Sequence, residues 1–401
     1  MEGVVQKVGK SIIIVRSGAR IITSLTDGNE LVTIQVDKAE SSRMVGNIYV
    51  GKVQNIVKNI NAAFVEVSGK QICYLPIAEN EKPVFTDGGK HPIRVGDELI
   101  VQIVKDATKV KAPLATVDFN LTGKYLVLVR GKHVLGISSK ITDENARNRL
   151  KKLLADSVSD DYGFVVRTNA ENADDEAITA ELEQLRADYA RIAGDGCHRV
   201  CFSKLYSSPP SYIREVRDGY SDEIDSIKTD DPEIYEELRD FLETTNDREL
   251  SKLEFYEDRN LSLSALYSIE NRLTKALQEK VWLDSGAYLV IQPTEALVAI
   301  DVNTGKATAG KHNIEETFFS VNCEAAEEIG RQIRLRNLSG IIIVDFIDMK
   351  EEEHKKLLIK KIRGVLAQDR VPCHFEDMTA LNLVEITRKK TRRPLYEQME
   401  E

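Results

Sequence analysis

From residue 266 onward, apolar and polar positions alternate between the period of a helix and the period of a strand. The segment IENRLTKALQEKV predicts a helix, and AYLVIQPTEALVAIDVN predicts a hairpin that turns at Pro293. The run from Ile341 to Phe346 is apolar except for Asp345 near its end, which predicts a buried central strand. Between them, a long helix is predicted from Ile314 to Arg336, with an apolar stripe at Ile314, Phe318, Val321, Ala325, Ile329 and Ile333.

The preceding residues divide into further regions by the same patterns. Residues 41 to 118 hold short β-rich runs between turn clusters, and about five strands at this spacing predict a small barrel. Residues 121 to 168 add more strands and the helical RNRLKKLLAD, and residues 174 to 194 predict a helix that stops at a glycine. Residues 214 to 260 are acidic and mostly helical by pattern.

Polar side chains interrupt the predicted α/β strands where apolar residues are expected. Because the side chains of a strand alternate between two faces, Asp301 and Asn303 point the same way. If the strand bearing Asp345 pairs beside theirs, the two carboxylates converge and repel each other unless a cation lies between them. Mg²⁺ binds through one or two carboxylates while it keeps waters and phosphate oxygens, and such an ion activates water for phosphodiester hydrolysis.

Two other interpretations of these residues stay open at the sequence level. Both aspartates would be structural if they cap strand ends or pair with Arg331, Arg334 or Arg336. Residues 305 to 311 (GKATAGK) fit a phosphate-loop pattern, and IIIVD resembles a magnesium-binding strand, which would indicate an ATPase or GTPase. However, His312 stands where that pattern needs a hydroxyl, and the predicted helix does not begin directly after the Gly-Lys pair.

Composition and charge narrow the class of protein. The chain has 401 residues, 42% of them hydrophobic and 30% charged, with no run near the roughly 18 apolar residues of a membrane span. No cleavable signal is visible, so a cytoplasmic location is expected, and five scattered cysteines predict reduced thiols. The net charge of −10 hides segregation, because acid concentrates in residues 214 to 260 while RKKTRR (388 to 393) and residues 41 to 118 carry basic side chains.

The segment ALVAIDVNTGKATAGKHNIEETFFSVNCEAAEEIGRQIRLRNLSGIIIVDFIDM resembles the catalytic core of the ribonuclease E/G family, whose members cleave RNA internally. ESSRMVGNIYVGKVQNIVKNINAAFVEV is similar to that family's S1-type OB barrel, and GFVVRT to its 5′-monophosphate sensor. The resemblance implies an α+β multidomain fold: an RNase H-like part (1–40 with 206–265), an inserted S1-type OB-fold RNA-binding domain (41–118), a 5′-sensor region (119–205) and a DNase I-like α/β catalytic domain (266–401).

For the catalytic domain, the resemblance implies that Asp301 and Asp345 bind Mg²⁺, with Mn²⁺ as an alternative ion, and that Asn303 assists them. The family usually follows its basic run with a Cys-Pro-x-Cys motif that shares zinc between subunits. No cysteine follows Cys373 here, so a zinc-linked dimer is not expected and the oligomeric state stays open. The sequence also has Asn382 where the family usually carries Gly.

For the sensor, the resemblance implies that Arg167 clamps the terminal phosphate, that Thr168 donates its hydroxyl, and that Gly123 and Val127 supply backbone contacts. The residues by themselves also fit a surface arginine followed by a turn threonine.

For the barrel, the resemblance implies RNA contacts by Phe64, Tyr74 and Lys111. The two aromatic residues also fit the interior of a small barrel, and the sequence does not decide between core and surface.

The function implied is a Mg²⁺-dependent endoribonuclease that cuts single-stranded RNA to 5′-phosphate and 3′-hydroxyl products. Stimulation by a 5′-monophosphate and a setting in rRNA processing and mRNA decay follow from the same resemblance. The alternative from another class is a non-catalytic RNA-binding relative, and a phosphate-loop NTPase is a third interpretation.

Overall fold

The structure is a computed structural model that describes residues 9–39, 44–78, 82–107, 111–218, 224–245, 248–307 and 314–399. These residues form two compact units. The first comprises the described residues within Met1–Glu40, Asp222–Leu242 and Arg248–Glu401, and the second those within Ser41–Ser221 and Glu243–Asp247. The second unit is therefore a long insertion in the sequence of the first.

The first unit begins with three antiparallel strands, β1 (Lys10–Ser17), β2 (Arg20–Asp27) and β3 (Glu30–Lys38). The apolar run from Ile12 to Val15 makes the middle of β1 fully buried. Tight turns join the strands, and Gly18 and Gly28 occupy them at φ of 58° and 57°, a left-handed region that glycine enters without steric cost.

The second unit opens with a closed five-strand barrel, consistent with an OB fold, so the prediction of a barrel within residues 41 to 118 is confirmed. Its strands are β4 (Ile48–Val57), β5 (Ala62–Glu66), β6 (Ile72–Pro76), β7 (Glu98–Lys105) and β8 (Leu114–Thr116). They follow the order β4-β5-β6-β8-β7, and pairing of β4 with β7 closes the barrel. Inward side chains such as Val53, Val65 and Leu75 fill its interior.

A four-stranded sheet follows in the second unit. Its strands are β9 (Asn120–Thr122), β10 (Leu126–Arg130), β11 (Leu135–Ile137) and β12 (Tyr162–Val166), in the order β11-β12-β10-β9. Helices α1 (Glu144–Leu153) and α2 (Asp175–Gly194) pack on it through Leu150 and Ile178, which confirms both predicted helices. The chain then adds β13 (Lys204–Tyr206) to β4 and forms α3 (Ser211–Asp218).

The acidic region returns the chain to the first unit and is less helical than predicted. It contains β14 (Ile224–Thr229), α4 (Pro232–Thr244) and β15 (Leu253–Phe255). Strand β14 is parallel to β1, and β15 is parallel to β14, so the sheet order is β15-β14-β1-β2-β3. The prediction is wrong for the two strands because each is short and is stabilised by neighbours far away in sequence. Helices α5 (Leu263–Leu266) and α6 (Ile269–Ala276) follow.

The last sheet of the first unit carries the polar residues singled out above. Its strands are β16 (Lys280–Trp282), β17 (Tyr288–Pro293), β18 (Val298–Asn303), β19 (Gly340–Asp345), β20 (Cys373–Met378) and β21 (Leu383–Arg388), in the order β16-β17-β18-β19-β21-β20. The helices are α7 (Ile314–Leu335), α8 (Glu352–Leu366) and α9 (Leu395–Met399). The predicted hairpin, long helix and strand are all confirmed, and α7 makes β18 and β19 parallel neighbours.

The two faces of this sheet differ. One face packs its aliphatic side chains, Ile300 and Ile342 among them, against α7 and α8. The side chains of the second face are half-buried or exposed, and we call this second face, with Tyr288, Val290, Ala299, Asp301, Asn303, Ile341, Ile343, Asp345, Glu385 and Thr387, the open face. Ile341 is 51% exposed, so the expectation that β19 is buried on both sides is wrong, although the strand is central.

Two expectations from composition concern the state of the cysteines and the presence of membrane-spanning helices. Cys73, Cys197, Cys201, Cys323 and Cys373 are free thiols. Within the ranges given above, none of the helices has both the length and the apolar composition that a membrane crossing requires.

Candidate active site

Asp301 and Asp345 lie side by side on the open face. They are direct register partners in the parallel pair of β18 and β19, and neighbouring strands are about 4.8 Å apart. Both side chains are exposed, because they lie at the carboxyl ends of their strands and on the face of the sheet opposite α7. The pairing of the two strands, on which the predicted approach of the carboxylates depends, is confirmed.

Asn303 lies two residues beyond Asp301 on the same face. Its side-chain amide donates a hydrogen bond from Nδ2 to Oδ2 of Asp301 at 2.6 Å. This bond fixes the orientation of the Asp301 carboxylate and leaves its other oxygen available for a ligand.

The surroundings of Asp345 shift the pKa of its carboxyl group. Partial burial, the nearby charge of Asp301 and the charge of Asp348 together raise the pKa of Asp345 above its ordinary value. A second negative charge is therefore costly at this place, and a bound cation would offset the cost. Two carboxylates and a neutral amide fit a hard divalent ion that keeps most of its water ligands. In the described residues, no group of three or more His, Cys, Asp and Glu side chains is arranged to enclose a metal ion.

The structural interpretation of these aspartates is not supported by the arginines. Arg331 pairs with Glu328, at 2.5 Å from Nη2 to Oε1, and Arg336 donates to Gln332. Among the described residues, neither Asp301 nor Asp345 forms an ion pair. Both carboxylates are thus available to a ligand.

Asp348 is a nearby acid that the sequence analysis did not single out. It follows β19 closely, raises the pKa of Asp345, and accepts a hydrogen bond from Asn382 Nδ2 to Oδ1 at 3.2 Å. Asn382 has φ of 61°, and this left-handed conformation explains why Gly or Asn suits the β20–β21 turn. The sequence DFID offered a signal for Asp348, since both aspartates stand at the exit of one strand.

The phosphate-loop interpretation gains nothing from the described part of that segment. Residues 308 to 313, which include Lys311 and His312, lie outside the described residues. The amide of Lys306 donates to the Gly286 carbonyl and that of Ala307 to the Thr304 carbonyl, so these two N–H groups are already used.

The predicted sensor residues Arg167, Gly123 and Thr168 come together at the end of β12. Arg167 donates from Nη1 to the Gly123 carbonyl at 2.6 Å and to Asp218 Oδ1 at 2.7 Å. The hydroxyl of Thr168 lies 3.1 Å from that of Ser138, and Val127 is in β10, where it pairs with Thr122 and Val165. Arg167 is thus an anchored side chain rather than a free surface arginine.

Two acids of this region were missed by the sequence analysis. Glu181 of α2 accepts the backbone N–H groups of Lys124, Tyr125 and Leu126 at 2.7, 2.8 and 2.7 Å. Burial raises the pKa of Glu181, although these three N–H groups and the charge of Arg167 act in the opposite direction. A Cβ at Gly123 would lie 2.4 Å from the Glu181 carboxyl, which explains a glycine there.

Asp218 is the second missed acid. Burial alone would raise its pKa, but the guanidinium groups of Arg217 and Arg167 hold the pKa of Asp218 below its ordinary value. No spacing rule could have found either acid, because each meets its partners only through the fold.

The predicted RNA contacts of the barrel lie at its surface. Phe64 and Tyr74 are register partners on β5 and β6, with ring centroids 6.0 Å apart in an edge-to-face arrangement. Both are half-buried and neither belongs to the buried core, so the core alternative is wrong. Lys111 is exposed just before Pro113, whose carbonyl accepts the N–H of Tyr74.

Comparisons with known proteins find similar sequences along most of the chain. The model of the Ribonuclease E/G family matches residues 120–391. Ribonuclease G of Escherichia coli (strain K12) is 35% identical over 377 residues, which are 91% of this chain and 77% of that protein. Ribonuclease G of Haemophilus influenzae is 32% identical over 383 residues, which are 93% and 78% of the two chains. A protein named putative ribonuclease E from Buchnera aphidicola is 33% identical over 383 residues, which are 93% of each chain.

Proposed function

The chain belongs to the ribonuclease E/G family and is an endoribonuclease, and we propose that it cleaves single-stranded RNA at a Mg²⁺ centre formed by Asp301 and Asp345. The resemblance drawn from the sequence is confirmed by the family match and by the ribonuclease G relatives. The observation that carries the proposal is the in-register pair of exposed carboxylates, which have no ion-pair partner among the described residues.

Each residue of the pair has a distinct task in this proposal. Asp301 would hold the ion with the oxygen that Asn303 leaves free, because the amide fixes the other oxygen. Asp345 would hold the ion from the neighbouring strand, and the cation would offset the burial and the charges of Asp301 and Asp348 that raise the pKa of Asp345. When bound, Mg²⁺, or Mn²⁺ in its place, would orient a water and stabilise charge on the phosphodiester. Cleavage would leave 5′-phosphate and 3′-hydroxyl ends.

The barrel would bind the substrate strand. Phe64 and Tyr74 present ring surface on neighbouring strands, and base stacking on such rings tolerates any sequence. Lys111 would neutralise a phosphate beside them, which predicts binding that weakens with salt. This barrel would act as the S1-type OB domain.

The residues around Arg167 would sense a monophosphate at the 5′ end. Its guanidinium is planar and suits a phosphate, and Thr168 offers an exposed hydroxyl beside it. Gly123 and Val127 would supply the backbone contacts. Asp218 already holds one nitrogen of Arg167, so a terminal phosphate would share the guanidinium with this acid.

The remaining architecture follows the family in this proposal. The sheet of β1–β3, β14 and β15 would be the RNase H-like part (1–40 with 206–265), residues 119–205 the sensor region, and 266–401 the DNase I-like catalytic domain. A cytoplasmic role in rRNA processing and mRNA decay fits such an enzyme.

The test of the metal centre uses the substitutions Asp301→Asn and Asp345→Asn. Each should lower cleavage of a labelled single-stranded RNA more than about 100-fold, because loss of a ligand exceeds the 10- to 100-fold cost of losing an outer partner. Binding of the same RNA should persist, and Asp284→Asn, an exposed acid of the β16–β17 turn, is the matched control. Full activity in either variant would refute the centre.

Assays of the unmodified chain separate the other interpretations. Cleavage should require Mg²⁺ or Mn²⁺ and stop with EDTA. RNA binding without cleavage would favour the non-catalytic relative, and hydrolysis of ATP or GTP would favour the phosphate-loop enzyme.

A further inference from the structure

The outer end of the open face carries an aromatic pair with a lysine. Trp282 on β16 and Tyr288 on β17 are register partners, with ring centroids 5.2 Å apart at an angle of 58°. Trp282 is 61% exposed. Lys280 places Nζ 4.2 Å from the centroid of the Trp282 ring and 3.5 Å from that of Tyr288. We call these three side chains the aromatic platform.

The aromatic platform is not part of the hydrophobic core. The neighbours Leu283, Ala287 and Leu289 point to the opposite side of the sheet and fill the core there. An isolated exposed apolar residue needs no explanation, but a Trp, a Tyr and a cation stacked together on one face form a surface with a defined shape.

The platform adjoins the proposed active site in the register of the sheet. One row across the open face runs from Trp282 through Tyr288 to Asn303, and the next row runs from Lys280 through Val290 to Asp301. Adjacent strands are about 4.8 Å apart, so Lys280 lies about 10 Å from Asp301 across the strands. A nucleotide that adjoins the scissile phosphate can span such a distance.

Charge also distinguishes this end of the open face. Asp301, Asp345 and Asp348 make the centre acidic, so in the absence of a metal ion it repels the phosphates of an RNA backbone. Lys280 is the cation at the edge, and no carboxylate is paired with it among the described residues. Its neighbour Glu279 accepts a hydrogen bond from Gln292 instead, at 3.3 Å.

We propose that Trp282 and Tyr288 form a stacking site for an unpaired base of the substrate RNA next to the scissile phosphate, and that Lys280 contacts a phosphate of that nucleotide. The inference rests on the proposed function, because it takes the carboxylate pair as the place of cleavage. Aromatic faces accept any base, so the site adds affinity and position with little sequence preference. Cytosine, uracil, adenine and guanine would all be bound.

The binding test uses the single Trp of the chain as its own probe. Titration of the Asp345→Asn protein with a single-stranded RNA should quench Trp282 fluorescence, since a stacked base contacts the ring. The same strand with abasic sugars, a duplex of the same sequence and inorganic phosphate should quench little. Equal quenching by the abasic strand would overturn the proposal. A concentration-dependent mass that Trp282→Ala abolishes would instead assign the surface to a second copy of the chain.

The activity test compares removal of the Trp282 ring with its replacement by another aromatic ring, and compares Lys280 with a control lysine. Trp282→Ala should raise KM about 5- to 150-fold, the equivalent of one lost stacking contact, whereas Trp282→Phe should restore most of the affinity. Lys280→Gln should weaken binding and reduce its dependence on salt, with Lys356→Gln on the exposed side of α8 as the control. Circular dichroism should show unchanged folding in every variant.

The two tests separate this inference from the function on which it rests. Unchanged KM in Trp282→Ala, with cleavage lost in Asp301→Asn, would refute the platform and retain the active site. Cleavage that survives Asp301→Asn, with Trp282 still quenched by single-stranded RNA, would refute the metal centre and retain the platform as an RNA-binding surface.

Discussion

At the scale of single residues, burial and neighbouring charges set the direction in which the pKa of an acid shifts. Burial and two neighbouring acids raise the pKa of Asp345, and burial raises the pKa of Glu181 against the opposing effect of its three N–H donors. Asp218 is held toward the charged form, because Arg217 and Arg167 outweigh its burial. These opposite directions separate acids whose charge is disfavoured by their surroundings from an acid whose charge is stabilised by two guanidinium groups.

Asp218→Asn should lower the free energy of unfolding at pH 7, because the folded protein would lose its paired carboxylate. The pKa of Asp218 is depressed in the folded state, so its stabilising contribution is present above the unfolded value of about 4 and is lost as the pH falls through the folded pKa. The difference from the unmodified protein should therefore shrink on acidification below about pH 4. Urea unfolding from pH 7 to pH 3 measures it.

The control for this titration is Asp284→Asn, since Asp284 is exposed. Its curve should follow that of the unmodified protein at every pH. A gap between Asp218→Asn and the unmodified protein that stays constant down to pH 3 would contradict the assigned pairing.

At the scale of elements, prediction from sequence succeeded where the periodic signal is long. The end of helix α7 was predicted to within one residue, because its apolar stripe repeats at steps of three and four along nearly the whole helix. The β17–β18 hairpin and β19 were found from alternation and from a continuous apolar run. Because strands joined by a crossover helix usually lie parallel and close together, the approach of the two carboxylates could be predicted, whereas their register could not.

The elements that sequence missed are those fixed by distant partners. Strand β14 has the sequence IDSIKT, whose polar residues hide it, and it forms because β1 lies beside it. A continuous apolar run does not reveal whether both faces are covered, so the exposure of Ile341 on β19 could not be foreseen. Trp282 and Tyr288 become a pair only through the register of β16 with β17.

Glu181→Ala should lower the free energy of unfolding by roughly 1–3 kcal/mol, because α2 would lose its bond to the backbone after β9 and leave three N–H groups without an acceptor. Thermal and urea unfolding measure the change. Glu183→Ala on the same helix is the matched control, since its exposed pair with Arg186 should contribute at most about 0.5 kcal/mol. Equal effects of the two substitutions would show that the Glu181 carboxylate does not hold this loop.

At the scale of the whole molecule, the local distribution of charge matters more for RNA binding than the net charge does. The chain has a net charge of −10, yet its proposed RNA contacts use Lys111, Lys280 and Arg167, in both compact units. In the proposed function, these local cations and the exposed rings would bind the polyanion within each unit, and a divalent ion would offset the acidic charge of the open face.

Arg167→Ala should remove the preference for RNA with a 5′-monophosphate over RNA with a 5′-hydroxyl. A charge-assisted hydrogen bond is worth roughly 1.5–3 kcal/mol, so the ratio of kcat/KM values should fall about 10- to 150-fold toward one. The preference of Arg167→Lys should lie between that of Arg167→Ala and that of the unmodified protein, because a lysine keeps the charge but lacks the planar guanidinium with its paired donors.

The matched control is Arg191→Ala, which removes an exposed arginine of the same unit that pairs with Asp188. Its preference should equal that of the unmodified protein. A preference retained by Arg167→Ala would mean that the terminal phosphate is read elsewhere.

The parallel pairing of β1 with β14 also constrains biosynthesis. Ser11 and Ser226 face each other across these strands, 215 residues apart. On a ribosome that adds about 5–20 residues per second, the amino-terminal hairpins must wait roughly 10–40 s for that neighbour to emerge. During this interval the inserted unit can mature as a self-contained body, while the exposed edge of β1 is a place where a nascent chain would need protection from pairing with other chains.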